Sequence, residues 1–284
     1  MLIILLLFCA GAVFWYLRRP QYYPAEGELA VHIIDVGQGD CILVSAGREN
    51  MLIDCGEYSQ APAVRNYLER CGVSRLDCIV CTHPHSDHMG GMGYIIDHFK
   101  VGQVLVPHVD DSDIPSAVFY EKFLDAVSGK NVGISEVRAG DTFTVGDGRC
   151  TVIAPYADKY DNVNNYSVCI MLTHGRKSFL FTGDAEELSE QEMLLSGRLM
   201  HTDVYKAGHH GSSTSSSPAF LAAVSPEYAA ISCGTANPYG HPDDDVVKRL
   251  NKYTGDIYRT DLNGTIVFIS DGEEIKVYPE RSGK

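Results

Sequence analysis

Thr82-His83-Pro84-His85-Ser86-Asp87-His88-Met89-Gly90-Gly91 is the stretch from which the rest of the chain can be read. It follows an apolar run at 77–81 with the character of a buried strand, and it leads into a helical pattern at 88–99. Three imidazoles and a carboxylate fall within six residues at this strand-to-helix turn, where short side chains can converge on metal. His83 and His85, two apart in an extended loop, point the same way and can share one ion. Asp87 and His88, where the backbone turns into the helix, aim at a second ion beside it. With 11 His in 284 residues, composition alone gives such a pattern on the order of once in a thousand chains. A merely solvated polar loop is a poor account of it.

Around this turn, short β-rich runs alternate with helical patterns, with no fixed repeat period. Strands are expected at 30–36, 41–45, 51–54, 77–81 and 103–106, then at 142–145, 151–154, 167–173, 178–182, 203–206, 228–232, 257–260, 264–270 and 273–278. Helices are expected at 61–70, 88–99, 117–128, 185–195, 218–224 and 243–253, the fifth with Ser217 as its N-cap and Pro218 at its first position. Turns at 175–177 and Asp271-Gly272 ask for antiparallel pairing. Asp35-Val36-Gly37-Gln38-Gly39-Asp40 joins two strands too closely for a crossover helix. Two mixed sheets packed face to face between helix layers, an α/β (α+β) sandwich spanning residues 29–280, therefore fit better than a doubly wound parallel sheet.

Composition narrows the function. The hydrophobic share of 45% supplies a sizeable core, which excludes a disordered chain. Lys+Arg total 23 against Asp+Glu 37, a net charge of −14, and no basic run exceeds two residues. A basic nucleic-acid groove is thus not written into the chain, and a polyanionic substrate would need another source of attraction. The nine cysteines are odd in number and show zinc-type spacing only at Cys78/Cys81, whose side chains face opposite sides of a strand. They read as small buried hydrophobes of a reducing compartment. Residues 2–17 are apolar apart from Tyr16 and end at Arg18-Arg19-Pro20, so 1–19 is expected to be an uncleaved membrane anchor, short of the roughly 20 residues of a full span. The arginines after it favour a cytoplasmic domain, and 20–28 reads as a linker.

The HxHxDH arrangement at 83–88 resembles the signature of the metallo-β-lactamase superfamily. Phe181-Thr182-Gly183-Asp184 resembles its strand-end bridging carboxylate, and Lys206-Ala207-Gly208-His209-His210-Gly211-Ser212 resembles its later histidine motif. Ile34–Asp40, Leu52-Ile53-Asp54-Cys55-Gly56, Asn164-Asn165-Tyr166-Ser167 and Gly234-Thr235-Ala236-Asn237-Pro238-Tyr239-Gly240-His241-Pro242 are similar to the soluble hydrolase domain of ComEC-type competence proteins. That likeness runs from about residue 28 to residue 278, without their multi-helix membrane channel, so a free-standing hydrolase part is expected.

The resemblance implies a four-layer αββα sandwich and two divalent metal ions, zinc in the first place with manganese as the alternative. It implies that His83 and His85 hold one ion, that Asp87, His88 and His209 hold the other, and that Asp184 bridges them. His210 would then back that set or face substrate, although the two histidines can exchange roles. No further histidine occurs at 155–167, where Asn162, Asn164 and Asn165 stand instead, suited to a hydrogen bond with water or a substrate oxygen. His241 is expected as a proton donor or phosphate contact, or alternatively as a cap for the helix at 243. Lys206 and Ser212, at the head of the serine run to Ser217, are expected to hold phosphate oxygens, unless the run is a mobile polar loop. Asp35, Gln38, Asp40 and Asp54 read as scaffold, His174 as an exposed turn residue, and His108 as a candidate for the rim.

Two divalent cations outweigh the carboxylates Asp87 and Asp184, which makes the site cationic in an acidic chain. The implied reaction is hydrolysis of a phosphodiester by a metal-bridging hydroxide, with Asp87, His210 and His241 nearest the chemistry and DNA the implied substrate. A phosphocholine-type esterase or small-molecule phosphodiesterase is the second enzyme reading. A non-catalytic, metal-bound scaffold for a membrane DNA channel is the third.

Overall fold

Strands β1 (Leu29–Ile33) and β2 (Ile42–Ala46) are buried along their whole length, so the sheet that contains them must be covered on both faces. The computed structural model describes residues 23–283. The anchor expected at 1–19 lies outside the described residues, and within them no helix is long and apolar enough to cross a membrane.

With β3 (Glu49–Ile53), β4 (Arg75–Val80), β5 (Lys100–Pro107), β6 (Gly133–Val137), β14 (Ile266–Ser270) and β15 (Ile275–Pro279), these strands form a sheet of order β15-β14-β1-β2-β3-β4-β5-β6. The second sheet comprises β7 (Thr142–Val145), β8 (Gly148–Ala154), β9 (Cys169–His174), β10 (Lys177–Phe181), β11 (Val204–Lys206), β12 (Tyr228–Ile231) and β13 (Asp256–Arg259), in the order β13-β12-β11-β10-β9-β8-β7. Both are mixed. Strands β3 to β6 run parallel in one sheet and β10 to β13 in the other, while the remaining pairs are antiparallel.

Three apolar layers hold this arrangement. Val31, Val44 and Val80 of the first sheet meet Val152, Ile170 and Phe179 of the second. Outside the first sheet, Leu43, Leu52 and Ile79 are covered by α1 (Ala61–Arg70), α2 (Ser86–Met89), α3 (Met92–His98) and α4 (Val118–Lys130). Outside the second, Leu180, Tyr205 and Ala229 are covered by α5 (Glu187–Leu195), α6 (Pro218–Val224) and α7 (Asp244–Leu250). The result is the expected αββα sandwich. Cys78 lies in the inter-sheet layer and Cys81 on the helix side, and the eight described cysteines are buried and unpaired.

The departures from expectation have local causes. The helix expected at 88–99 is interrupted at Gly90-Gly91, because the Gly91 N–H donates to Gly56 O (3.0 Å) rather than continuing the helical ladder. Strand β6 gave no sequence signal because four of its five residues are exposed on an edge. His174 is not exposed: it ends β9, is buried, and its Nδ1 lies 3.0 Å from Ser270 Oγ under the β14–β15 turn.

The parallel strands bring the ends of β3, β4, β10, β11 and β12 to a common edge where the sheets are tied together. Val168 N donates to Thr82 O (2.9 Å), and Ser232 Oγ donates to Gly39 O (2.7 Å). Gly39 permits the closest approach: its φ is +129°, and a Cβ there would stand 2.3 Å from Asp87 O, on the histidine loop itself. Gly39→Ala is therefore expected to cost about 1–3 kcal/mol in urea unfolding and to lower metal content measured by mass spectrometry.

Candidate metal centre

Each strand end delivers one piece of the site. Strand β4 runs into His83–His88, β10 into Asp184, and β11 into His209-His210. His88 Nε2, His210 Nε2 and Asp184 Oδ1 are buried and make no hydrogen bond. They nevertheless crowd together, with Asp184 Oδ1 3.3 Å from His88 Nε2 and 3.5 Å from His210 Nε2. Asp87 Oδ2 completes the group, 3.3 Å from His210 Nε2 and 4.0 Å from His88 Nε2. Ligands 2.0–2.2 Å from a tetrahedral ion are separated by roughly 3.3–3.6 Å, so these four residues fit a divalent cation. A second group, His83, His85 and Asp184, lies beside the first. Here His83 Nε2 is 3.0 Å from His85 Nδ1 and 3.7 Å from Asp184 Oδ2. Asp184 thus offers one oxygen to each group.

Outer hydrogen bonds aim the imidazoles. Asp54 accepts from Thr82 N (2.8 Å) and Thr82 Oγ1 (2.6 Å) while its Oδ2 sits 2.7 Å from His88 Nδ1, which turns His88 Nε2 inward. His210 Nδ1 donates to Ser232 O (3.0 Å), with the same effect. Ser167 Oγ donates to neither Asp184 oxygen; it accepts from Asp184 N (3.0 Å) and lies 3.3 Å from His83 Nδ1.

Burial alone would raise the Asp184 pKa, but His88, His210 and His83 hold it well below the usual carboxylate range. Burial would likewise lower His88 and His210, yet Asp184 with Asp54 lifts the first well above an ordinary imidazole, and Asp184 with Asp40 lifts the second to about 9. Metal ligands must be deprotonated, so cation binding among these groups is coupled to pH. His83 is held low, first by burial and then by His88.

The structure sorts the sequence-predicted residues. His83, His85, Asp87, His88 and Asp184 come together. Of the later pair, it is His210 and not His209 that joins Asp87 and His88. Both residues have left-handed backbone (φ 49° and 55°), and their rings, with centroids 6.2 Å apart, reach different oxygens of Asp184. His209 Nε2 lies instead 3.7 Å from Asp184 Oδ2, the oxygen that faces His83, and its Nδ1 lies 3.0 Å from Thr214 Oγ1.

Lys206 does not reach a substrate: its fully buried ammonium donates to Asp40 Oδ2 (3.0 Å) and Ala207 O (2.8 Å). Ser212 is buried, with its hydroxyl 3.1 Å from Thr214 Oγ1. The serine run is neither phosphate cradle nor mobile loop, since Ser215 Oγ donates to Ala185 O (2.7 Å) and Ser217 N donates to Glu190 (2.9 Å). Asn165 accepts from Glu186 N (3.1 Å), whereas Asn164 lines a cleft of about 280 Å³ over the metal groups together with His85, Asp87, His209, His210 and His241. His108 is half-buried beside Glu136 (3.1 Å) and does not line the cleft. Gln38, which reads as scaffold in the sequence, and Tyr239, part of the His241 motif, also line the cleft. Gly37 and Gly39 around Gln38, and Pro238 and Gly240 around Tyr239, are the sequence signal, marking turns that can approach the site.

A carboxylate shared by two histidine groups, at the mouth of a four-layer sandwich, is an arrangement that could hold divalent metal ions. The chain belongs to the metallo-β-lactamase superfamily, whose sequence pattern matches residues 34–235. It is 34% identical over 262 residues to ComE operon protein 3 of Bacillus subtilis, covering 86% of this chain and 33% of that protein. It is 32% identical over 252 residues to competence protein ComA of Neisseria gonorrhoeae, covering 88% and 33%. The chain therefore spans about a third of the length of these relatives. Among solved structures, Igni18, a metallo hydrolase from Ignicoccus hospitalis, superposes with a TM-score of 0.55 at 15% identity over 88% of this chain and 98% of its own. That last likeness is one of fold.

Asp54 sits outside both metal groups yet fixes His88, so Asp54→Asn is expected to weaken metal binding by about 10- to 100-fold in chelator competition, with the fold retained by circular dichroism.

Proposed function

We propose that the chain is a dinuclear metal-dependent phosphodiesterase acting on DNA. The observation that carries this reading is the set of buried, unpartnered donors of His88, His210 and Asp184, at the separations a divalent ion requires, sharing Asp184 with His83 and His85. The likeness to competence proteins supports DNA as the substrate. Asp87, His88, His210 and Asp184 would hold one ion and His83, His85 and Asp184 the other, with zinc or manganese suited to such donors. When bound, divalent cations supply Lewis acidity, lowering the pKa of water towards neutrality and offsetting phosphate charge.

The chain's own groups then position and protonate. Asp184 orients both sites through its two oxygens, and its main-chain N–H is fixed by Ser167. His241 lines the cleft with a buried Nδ1 that has no partner, which suits it to give a proton to, or bond, a phosphate oxygen. Asn164, whose Oδ1 is also buried and free of hydrogen bonds, can orient water or substrate. The segment 1–19 would tether this domain to a membrane, on its cytoplasmic side.

The purified chain, loaded with Mn²⁺ or Zn²⁺, is expected to bind two ions and to cut single- or double-stranded DNA. Asp87→Ala and Asp184→Asn should each lower the rate by about a hundred-fold or more. Cleavage of bis-p-nitrophenyl phosphate or p-nitrophenyl phosphocholine with DNA left intact would shift the reading to a small-ester enzyme; metal binding with no turnover would leave a scaffold. His210→Ala is expected to lose one ion per chain by mass spectrometry and His209→Ala to keep both, and the reverse would undo the ligand assignment.

A further inference from the structure

The loop between β12 and α7 is locked by one side chain. Asn237 Nδ2 donates to Gly234 O (2.9 Å) and to His241 O, while its Oδ1 accepts from Tyr239 N (3.2 Å) and His241 N (3.0 Å). This ordered loop holds Tyr239 at the lip of the cleft, yet 66% exposed. The Tyr239 ring lies parallel to His241, with an interplanar angle of 14° and centroids 5.9 Å apart. His241 in turn meets His209 edge-on at 5.7 Å, and His209 Nε2 stands 3.7 Å from Asp184. Three rings therefore step from the shared carboxylate out to solvent, and the last leaves one face open.

Tyrosine in so fixed a loop gains nothing from exposure unless something covers it. Among the described residues, the cleft wall carries no lysine or arginine, and the chain has a net charge of −14. A duplex, gripped chiefly through its phosphates, finds little here to hold it. An unpaired base needs no such charge, because an aromatic face binds it by stacking. In a duplex that same face is already covered by neighbouring bases. His241 Nδ1, buried and without a partner beneath Tyr239, marks a polar contact point one step nearer the metals.

We propose that Tyr239 is a specificity-determining residue, a platform on which an unpaired nucleobase stacks beside the scissile phosphodiester, so that the cleft takes single-stranded in preference to duplex nucleic acid. This rests on the phosphodiesterase reading above. The Mn²⁺-loaded chain is assayed on a short oligothymidylate, on the same strand with its central bases replaced by tetrahydrofuran abasic residues, and on its duplex. The expected kcat/KM on the base-bearing single strand is about ten-fold above both others. Tyr239→Ala should erase that margin, chiefly through KM, whereas Tyr239→Trp and Tyr239→Phe, which keep a ring, should retain it. Equal cleavage of base-bearing and abasic strands by the wild type, or a margin that survives Tyr239→Ala, overturns the inference and leaves the phosphodiesterase reading standing. Cleavage of none of the three by metal-replete protein removes both.

Discussion

Asp184 is the constraint on which the rest depends. A buried carboxylate facing four imidazoles across two sides is stable only if positive charge sits among them, because lone pairs removed from water and left unpaired cost free energy. Many features of the fold follow from supplying that arrangement. The parallel halves of both sheets end at one edge, the histidine loop is drawn against Gly39, and Asp54 and the Ser232 carbonyl hold the outer nitrogens of His88 and His210. The strained His209-His210 backbone is the local cost of serving both sides of one carboxylate from adjacent residues.

Under the proposed function, an acidic chain would meet a polyanion differently from a basic groove. Among the described residues the one fully buried lysine, Lys206, is spent inside the protein, offsetting Asp40 across the seam between the sheets. Asp40 is held down to about 2, with Lys206 and His210 outweighing its burial. On the phosphodiesterase reading proposed above, attraction for a phosphate would be concentrated at the metals, with directional contacts and ring faces around them.

Much of this was legible in the sequence. Period-two apolar runs and turn residues marked nearly every strand, because buried strands must alternate or be wholly apolar. The spacing of His83, His85, Asp87 and His88 gave half the site because a short loop fixes their relative directions. What stayed hidden depended on tertiary placement. The edge strand β6 has no buried face to leave a pattern. Nothing local distinguishes His209 from His210 until the left-handed turn is seen, and nothing in Lys206 announces Asp40, 166 residues away, as its partner. The serines after Ser212 looked available only because the buried acceptors that consume them, Ala185 O and Glu190, come from other elements.

The Asn237 loop draws its internal bonds almost wholly from its own residues, while the cation donors stand on other strand ends. The exposed tip of this segment, at Tyr239, is therefore the part free to vary, while its ends at Gly234 and Asp243 stay bonded to Gln38 and to the turn after His210. One hydrolytic core could in this way be retargeted repeatedly over evolution, with new cargo chosen at the lip while the engine below remains untouched.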